Sequence, residues 1–167
     1  YGNQDTLYLK GGRVYIKDSL IEGNVDFIFG EATGIAYFES CEIKSIHRGT
    51  NLSNNGYVTA MRADATNKPN YGYVFNNCYF TADSEVLDGA MSLGRPWGVK
   101  ATVSFINCSF SSAYSKLGYT SDDKTKSRWF SMSGNSPVNA DFSEYGSTGA
   151  GAITEAVDGG RILTLEE

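Results

Sequence analysis

Short segments with apolar residues at period two recur along the chain: Thr6-Leu7-Tyr8-Leu9, Phe27-Ile28-Phe29, Tyr57-Val58-Thr59 and Thr102-Val103-Ser104-Phe105. This spacing puts alternate side chains on one face and predicts β-strands. No long segment has helical period. A second pattern, apolar-x-x-Cys-x-apolar, occurs around Cys41, Cys78 and Cys108, and a fourth copy over Ile16–Ile21 carries Ser19 in the Cys position. The copies are 22, 37 and 30 residues apart. A short coil of about 22 residues, lengthened by insertions, is the signature of a solenoid whose repeats cannot bury a face alone. Strands in such a coil predict an all-β parallel β-helix. The three Cys would then form one internal column of small apolar fillers; redox or metal chemistry is the alternative for them. Asn77 and Asn107, each just before a Cys, are expected in a ladder of turns.

The insertions, 44–56, 62–72, 81–92 and 111–128, are expected to be loops that build a binding face on one side of the solenoid. His47 lies in the first and is expected to be an exposed loop residue. Thr164-Leu165-Glu166-Glu167 matches a capping box and predicts the start of a helix. Tyr1-Gly2-Asn3-Gln4 runs uncapped into a strand. The whole of 1–167 therefore reads as one β-helix domain, open at both ends, and is expected to be a piece of a longer protein.

Composition narrows the chemistry. The 167 residues are 41% hydrophobic and 20% charged, enough apolar mass for a packed core. No apolar run reaches the 18 residues of a helical membrane span. The net charge is −5 and the Lys and Arg are dispersed, which argues against nucleic acid as a partner. A single histidine leaves no His-rich metal site, three widely spaced Cys give no CxxC pair, and no cofactor is expected. His47 is the one base available to a Ser-His-Asp triad, so hydrolytic chemistry is expected to run on carboxylates instead.

Two carboxylates stand out. Asp5 and Asp26 each open a strand segment and are 21 residues apart, close to one coil. Equivalent positions on successive coils stack about 4.8 Å apart. Neighbouring carboxylates push their pKa values apart, so one can donate a proton while the other attacks or accepts. On spacing alone, two turn aspartates that satisfy backbone N–H groups are the commoner reading. Arg95, in Leu93-Gly94-Arg95-Pro96-Trp97, shifts that balance, because a guanidinium would hold one Asp ionised and in place. Trp97 could stack on a sugar ring; packing on a turn is its alternative.

Gln4-Asp5-Thr6-Leu7, Asp26-Phe27-Ile28-Phe29-Gly30 and Leu93-Gly94-Arg95-Pro96-Trp97 resemble, in order and separation, three signature motifs of the pectin methylesterases (pectinesterases). Glu144-Tyr145-Gly146 and Gly149-Ala150-Gly151-Ala152 resemble a later family segment. The resemblance implies a right-handed parallel β-helix and a secreted or periplasmic enzyme. It implies hydrolysis of methyl esters on homogalacturonan (pectin), without a metal, membrane or nucleic-acid partner. It assigns Asp26 as nucleophile, Asp5 as acid and base, Gln4 to the oxyanion, and Arg95 to hold Asp26. Trp97, Phe29 and Trp129 become sugar contacts, with core or turn packing as the alternative for the last two. Two upstream family motifs, one carrying a second oxyanion glutamine, have no counterpart here, and losing one such donor costs about 10²–10³ in rate. A non-catalytic pectin- or glycan-binding solenoid, or an esterase of the same scaffold acting on another ester, are the competing readings. The acidic composition suggests an acidic cleft rim that binds neutral, methylated stretches.

Overall fold

The computed structural model describes residues 1–49, 52–63, 71–118 and 126–167. Its strands are β1 (Leu7–Leu9), β2 (Gly12–Lys17), β3 (Leu20–Gly23), β4 (Val25–Gly30), β5 (Gly34–Glu39), β6 (Glu42–Ser45) and β7 (Gly56–Met61), then β8 (Tyr73–Asn76), β9 (Tyr79–Ala82), β10 (Met91–Pro96), β11 (Thr102–Ile106), β12 (Ser109–Phe110), β13 (Asp141–Tyr145) and β14 (Gly160–Ile162). One 3₁₀ turn spans Pro137–Asn139, capped by Ser136. No helix among the described residues is long and apolar enough to cross a membrane.

The strands form three all-parallel sheets, ordered β1-β4-β7-β10, β2-β5-β8-β11-β13-β14 and β3-β6-β9-β12. The first four coils each contribute one strand to each sheet, β13 and β14 extend the second sheet alone, and the path is a right-handed parallel β-helix, the hand that strand twist favours for parallel crossovers. Register is kept across unequal coils: Leu7, Ile28, Thr59, Gly94 and Trp129 share one rung although 21, 31, 35 and 35 residues separate them.

The repeated Cys pattern has a local cause. The residue before each slot, Asp18, Ser40, Asn77 and Asn107, has φ between 47° and 53°. This left-handed step turns the chain from the second sheet to the third, and short polar side chains tolerate it best. The slot residue then bonds back two residues: Ser19 Oγ to the Lys17 carbonyl at 2.7 Å, and the thiols of Cys41, Cys78 and Cys108 to the carbonyls of Glu39, Asn76 and Ile106 at 3.4, 3.5 and 3.4 Å. All three Cys are fully buried and none forms a disulfide. Burial pushes the Cys41 thiol up, which keeps it protonated and unreactive.

Beside this column the core is aromatic. Phe38, Phe75 and Phe105 stack one per coil at 4.4 and 5.0 Å, and Trp129 stacks on Phe142 at 4.4 Å. Such pairs add about 0.5–1.5 kcal/mol each beyond area burial. One local expectation changes: His47 is half-buried, its backbone N–H donating to Asp83 Oδ2 at 3.0 Å. At Thr164 the return bond of a capping box is present, Glu167 Oε2 accepting from the Thr164 backbone N–H at 3.1 Å. Parts of the expected loops, residues 50–51, 64–70 and 119–125, lie outside the described residues.

Candidate active site

The first sheet, β1-β4-β7-β10, carries the site on its outer face. Gln4 bridges to Val25, and the Asp5 N–H donates to the Val25 carbonyl at 3.1 Å, which places Asp5 beside Asp26 one coil on. Both aspartates have φ 50°. In β4 this kink coincides with a break in register against β7 between Val25 and Ile28. A bulge of this kind re-aims one side chain out of the strand's alternation. The two aspartates are not equivalent: Asp5 is exposed, whereas Asp26 is only 3% exposed.

Arg95 enters from β10. Its Nε donates to Asp26 Oδ1 at 2.8 Å and its Nη2 to Oδ2 at 2.5 Å. The side chain reaches Asp26 across β7, where its own rung holds only the small Ala60. Gly94 allows β10 to lie this close: a Cβ there would meet Thr59 Oγ1 at 2.0 Å. The guanidinium rests over the Tyr57 ring, 4.0 Å from its centroid.

The electrostatics differ from the simple expectation. Burial pushes the Asp26 carboxyl up, the hydrogen bonds and charge of Arg95 pull it down, and the charge of Asp5 pushes it up again; the net direction is up. Desolvation thus outweighs the guanidinium, and Asp26 becomes a more basic carboxylate than an ordinary aspartate.

A cleft of about 220 Å³ opens over this pair, floored by Asp26 and Arg95 and walled by Gln4, Asp5, Phe29 and Trp97, with Ala60 and Met132 completing it. Phe29 stacks on Tyr8 at 4.7 Å and lies 6.5 Å from Trp97. Arg62 sits over Trp97 at 5.4 Å, with Glu31 3.6 Å from it, so the rim carries charges of both signs rather than acid alone. Among the described residues no group of His, Cys, Asp and Glu is arranged to hold a metal.

The structure brings Gln4, Asp5, Asp26, Phe29, Arg95 and Trp97 to one cleft. It does not bring Trp129. That indole is completely buried, stacked on Phe142 and 5.9 Å from Phe105, so it is a core residue and not a sugar contact. The reason is register: Trp129 pairs with Gly94 and points inward, whereas the next residue, Phe130, packs against Tyr57 behind the site. Tyr57, Tyr8, Ala60 and Met132 were not anticipated. Tyr8 had a signal, because Asp-x-x-aromatic occurs at both Asp5 and Asp26. Ala60 and Met132 had none.

Comparison with known proteins defines the class. The family model described as Pectinesterase matches residues 1–157, and the chain belongs to this family. "Probable pectinesterase A" of Aspergillus flavus is 39% identical over 155 residues, covering 92% of this chain and 41% of that protein. "Pectinesterase A" of Emericella nidulans is 35% identical over 158 residues, 93% of this chain and 46% of that one. Among solved structures, the pectin methylesterase from Aspergillus niger matches with a TM-score of 0.76 and 31% identity over 98% of this chain and 48% of its own. The carrot enzyme matches with a TM-score of 0.77 and 27% identity over 97% and 49%. The chain thus spans less than half the length of these curated relatives.

Proposed function

We propose that this site hydrolyses methyl esters of homogalacturonan (pectin) and releases methanol. The observation that carries the proposal is a buried, basic aspartate gripped bidentately by an arginine at the floor of an aromatic-walled cleft, with a second, exposed aspartate one coil away. The nature of the relatives supports it; one solved pectin methylesterase, with a TM-score of 0.76 and 29% identity, holds a hexasaccharide.

The chemistry divides between the carboxylates. Ionised Asp26 attacks the ester carbonyl carbon, and the Gln4 amide donates to the oxygen that gains charge. The tetrahedral species collapses with loss of methoxide, which takes the proton of Asp5 and leaves as methanol. Asp5, now ionised, removes a proton from water, which attacks the acyl carbon. Asp26 departs as carboxylate, and a free galacturonate remains. Arg95 holds Asp26 throughout, while Phe29 and Trp97 receive the sugar faces. On this reading the protein works where pectin is, secreted or in a periplasm.

The test is methanol release from highly methylated pectin by the intact protein and by Asp26→Ala. Wild type should release methanol, and the variant should fall to background while it still binds pectin. Equal release above background by both would take the chemistry away from Asp26, and none by wild type with binding intact would leave a non-catalytic glycan-binding solenoid. Activity on unrelated esters alone would point to another substrate.

A further inference from the structure

Arg95 lies near two carboxylates, and only one of them should receive it. Asp5 and Asp26 both act on its charge, from the start of β1 and from β4. An arginine side chain is long and rotatable, and Asp5 is the more accessible anion. In the structure the whole fork nevertheless goes to Asp26.

What fixes it is the ring beneath. Tyr57 is on β7, paired with Val25 on one side and Ser92 on the other, so it lies between the strands of Asp26 and Arg95. Its face meets the guanidinium at 4.0 Å. Its own orientation is set from two directions: Phe130 packs edge-on at 5.2 Å and 72°, and Asn54 Nδ2 donates to its hydroxyl at 3.2 Å. With the ring covering one side of the guanidinium, its Nε and Nη2 remain for a carboxylate, and both go to Asp26. Other charged groups near the cleft, Glu31 and Arg62, are paired with each other on the Trp97 side.

We propose that Tyr57 is a positioning residue that decides which aspartate is the nucleophile. By backing Arg95 with its ring, it gives the guanidinium to Asp26 and leaves Asp5 free to carry the proton for the leaving group. This rests on the esterase reading above. Without the ring, Arg95 is shared between the carboxylates. Asp26 then loses stabilisation of its ionised form.

The test compares Tyr57→Leu, Tyr57→Met and Tyr57→Phe in the intact protein. Loss of the π face in Leu or Met should lower kcat about tenfold with little change in KM. It should also move the acid limb of the pH–rate bell up, as Asp26 becomes harder to ionise without the whole fork. Tyr57→Phe keeps the face and should keep the wild-type bell. Tyr57→Met fills the volume if Tyr57→Leu fails to fold. A wild-type bell in the Leu and Met variants, or a Phe variant as impaired as they are, would overturn the proposal. Should the wild type release no methanol, the esterase reading fails. Titration of the Asp26 carboxyl by carbon-13 NMR in aspartate-labelled protein then still decides: the Leu or Met variant should raise Asp26, and an unchanged titration overturns the role of Tyr57.

Discussion

Arg95–Asp26 and Arg128–Glu144 share one geometry, each backed by an aromatic ring, and differ in their access to solvent and in the groups beside them. In both, Nε and Nη2 grip the two carboxylate oxygens, at 2.8 and 2.5 Å in the first and 2.5 and 2.7 Å in the second. The second pair is closed off from solvent, with side chains 0% and 2% exposed. Its Nη1 donates to the Ser115 and Gly151 carbonyls, Ser147 Oγ donates to Glu144 Oε2, and the guanidinium lies over Phe110 at 4.9 Å. Its hydrogen-bonding capacity goes into tying a late coil together. In the first pair Arg95 is 21% exposed, its partner faces a cleft, and a second anion stands nearby. A bidentate ion pair is therefore structural or chemical according to what remains available after the fork has closed.

The contrast can be broken most forcefully from the buried side. Arg128→Met leaves Glu144 unpaired in the interior and should destabilise the protein by about 3–5 kcal/mol, read from the urea midpoint. Arg128→Met with Glu144→Leu should recover most of that loss, because the apolar pair leaves no buried charge. Were single and double variants equally unstable, the pair would not be the source of the cost. Arg95→Met should do the opposite: activity falls about 10²-fold as Asp26 loses its orientation, while the urea midpoint moves less than in Arg128→Met. A large loss of stability with the rate retained would reverse the assignment.

The smallest effect sharpens the picture at the open site. The folded-state pKa of Asp26 is raised, so the folded protein holds that proton more tightly than the unfolded chain. As pH falls from neutral through the raised value, wild type should gain stability relative to Asp26→Asn. The gain should level off below the ordinary aspartate pKa of about 3.9. In the rate profile the acid limb should stand above that ordinary value. A wild-type advantage that shrinks on acidification would show that Arg95 dominates burial after all.

The repeated turns and the pairing of Asp5 with Asp26 were legible in the sequence because the first coil is short and free of insertions. A 21-residue offset maps directly onto one strand spacing there. The reach of Arg95 to Asp26 came from the family resemblance and not from spacing, since it crosses coils of 31 and 35 residues whose register only the folded backbone reveals. Trp129 failed for the same reason. The resemblance offered it as a sugar contact with core packing as the alternative, a shift of one residue decides between cleft and core, and the isolated pairing with Gly94 sends it inward. The aspartates at φ 50° break strand alternation locally, as do the Asp18, Ser40, Asn77 and Asn107 turns. The Asn and Ser turns could be anticipated from the Cys pattern that follows them. The bulge at Asp26 had no such marker.

The rung shared by Leu7, Ile28, Thr59, Gly94 and Trp129 makes the solenoid a graduated scale. Position along its axis is counted in whole turns and is indifferent to the length of chain spent on each. Lengthening a peripheral insertion leaves the graduation untouched. Splicing one complete turn between β1 and β4 would instead move the two carboxylates from about 4.8 to about 9.6 Å apart, too far to serve one ester group. Variation in such a scaffold is therefore quantised: the periphery can drift freely, and the chemistry can change only by an integer.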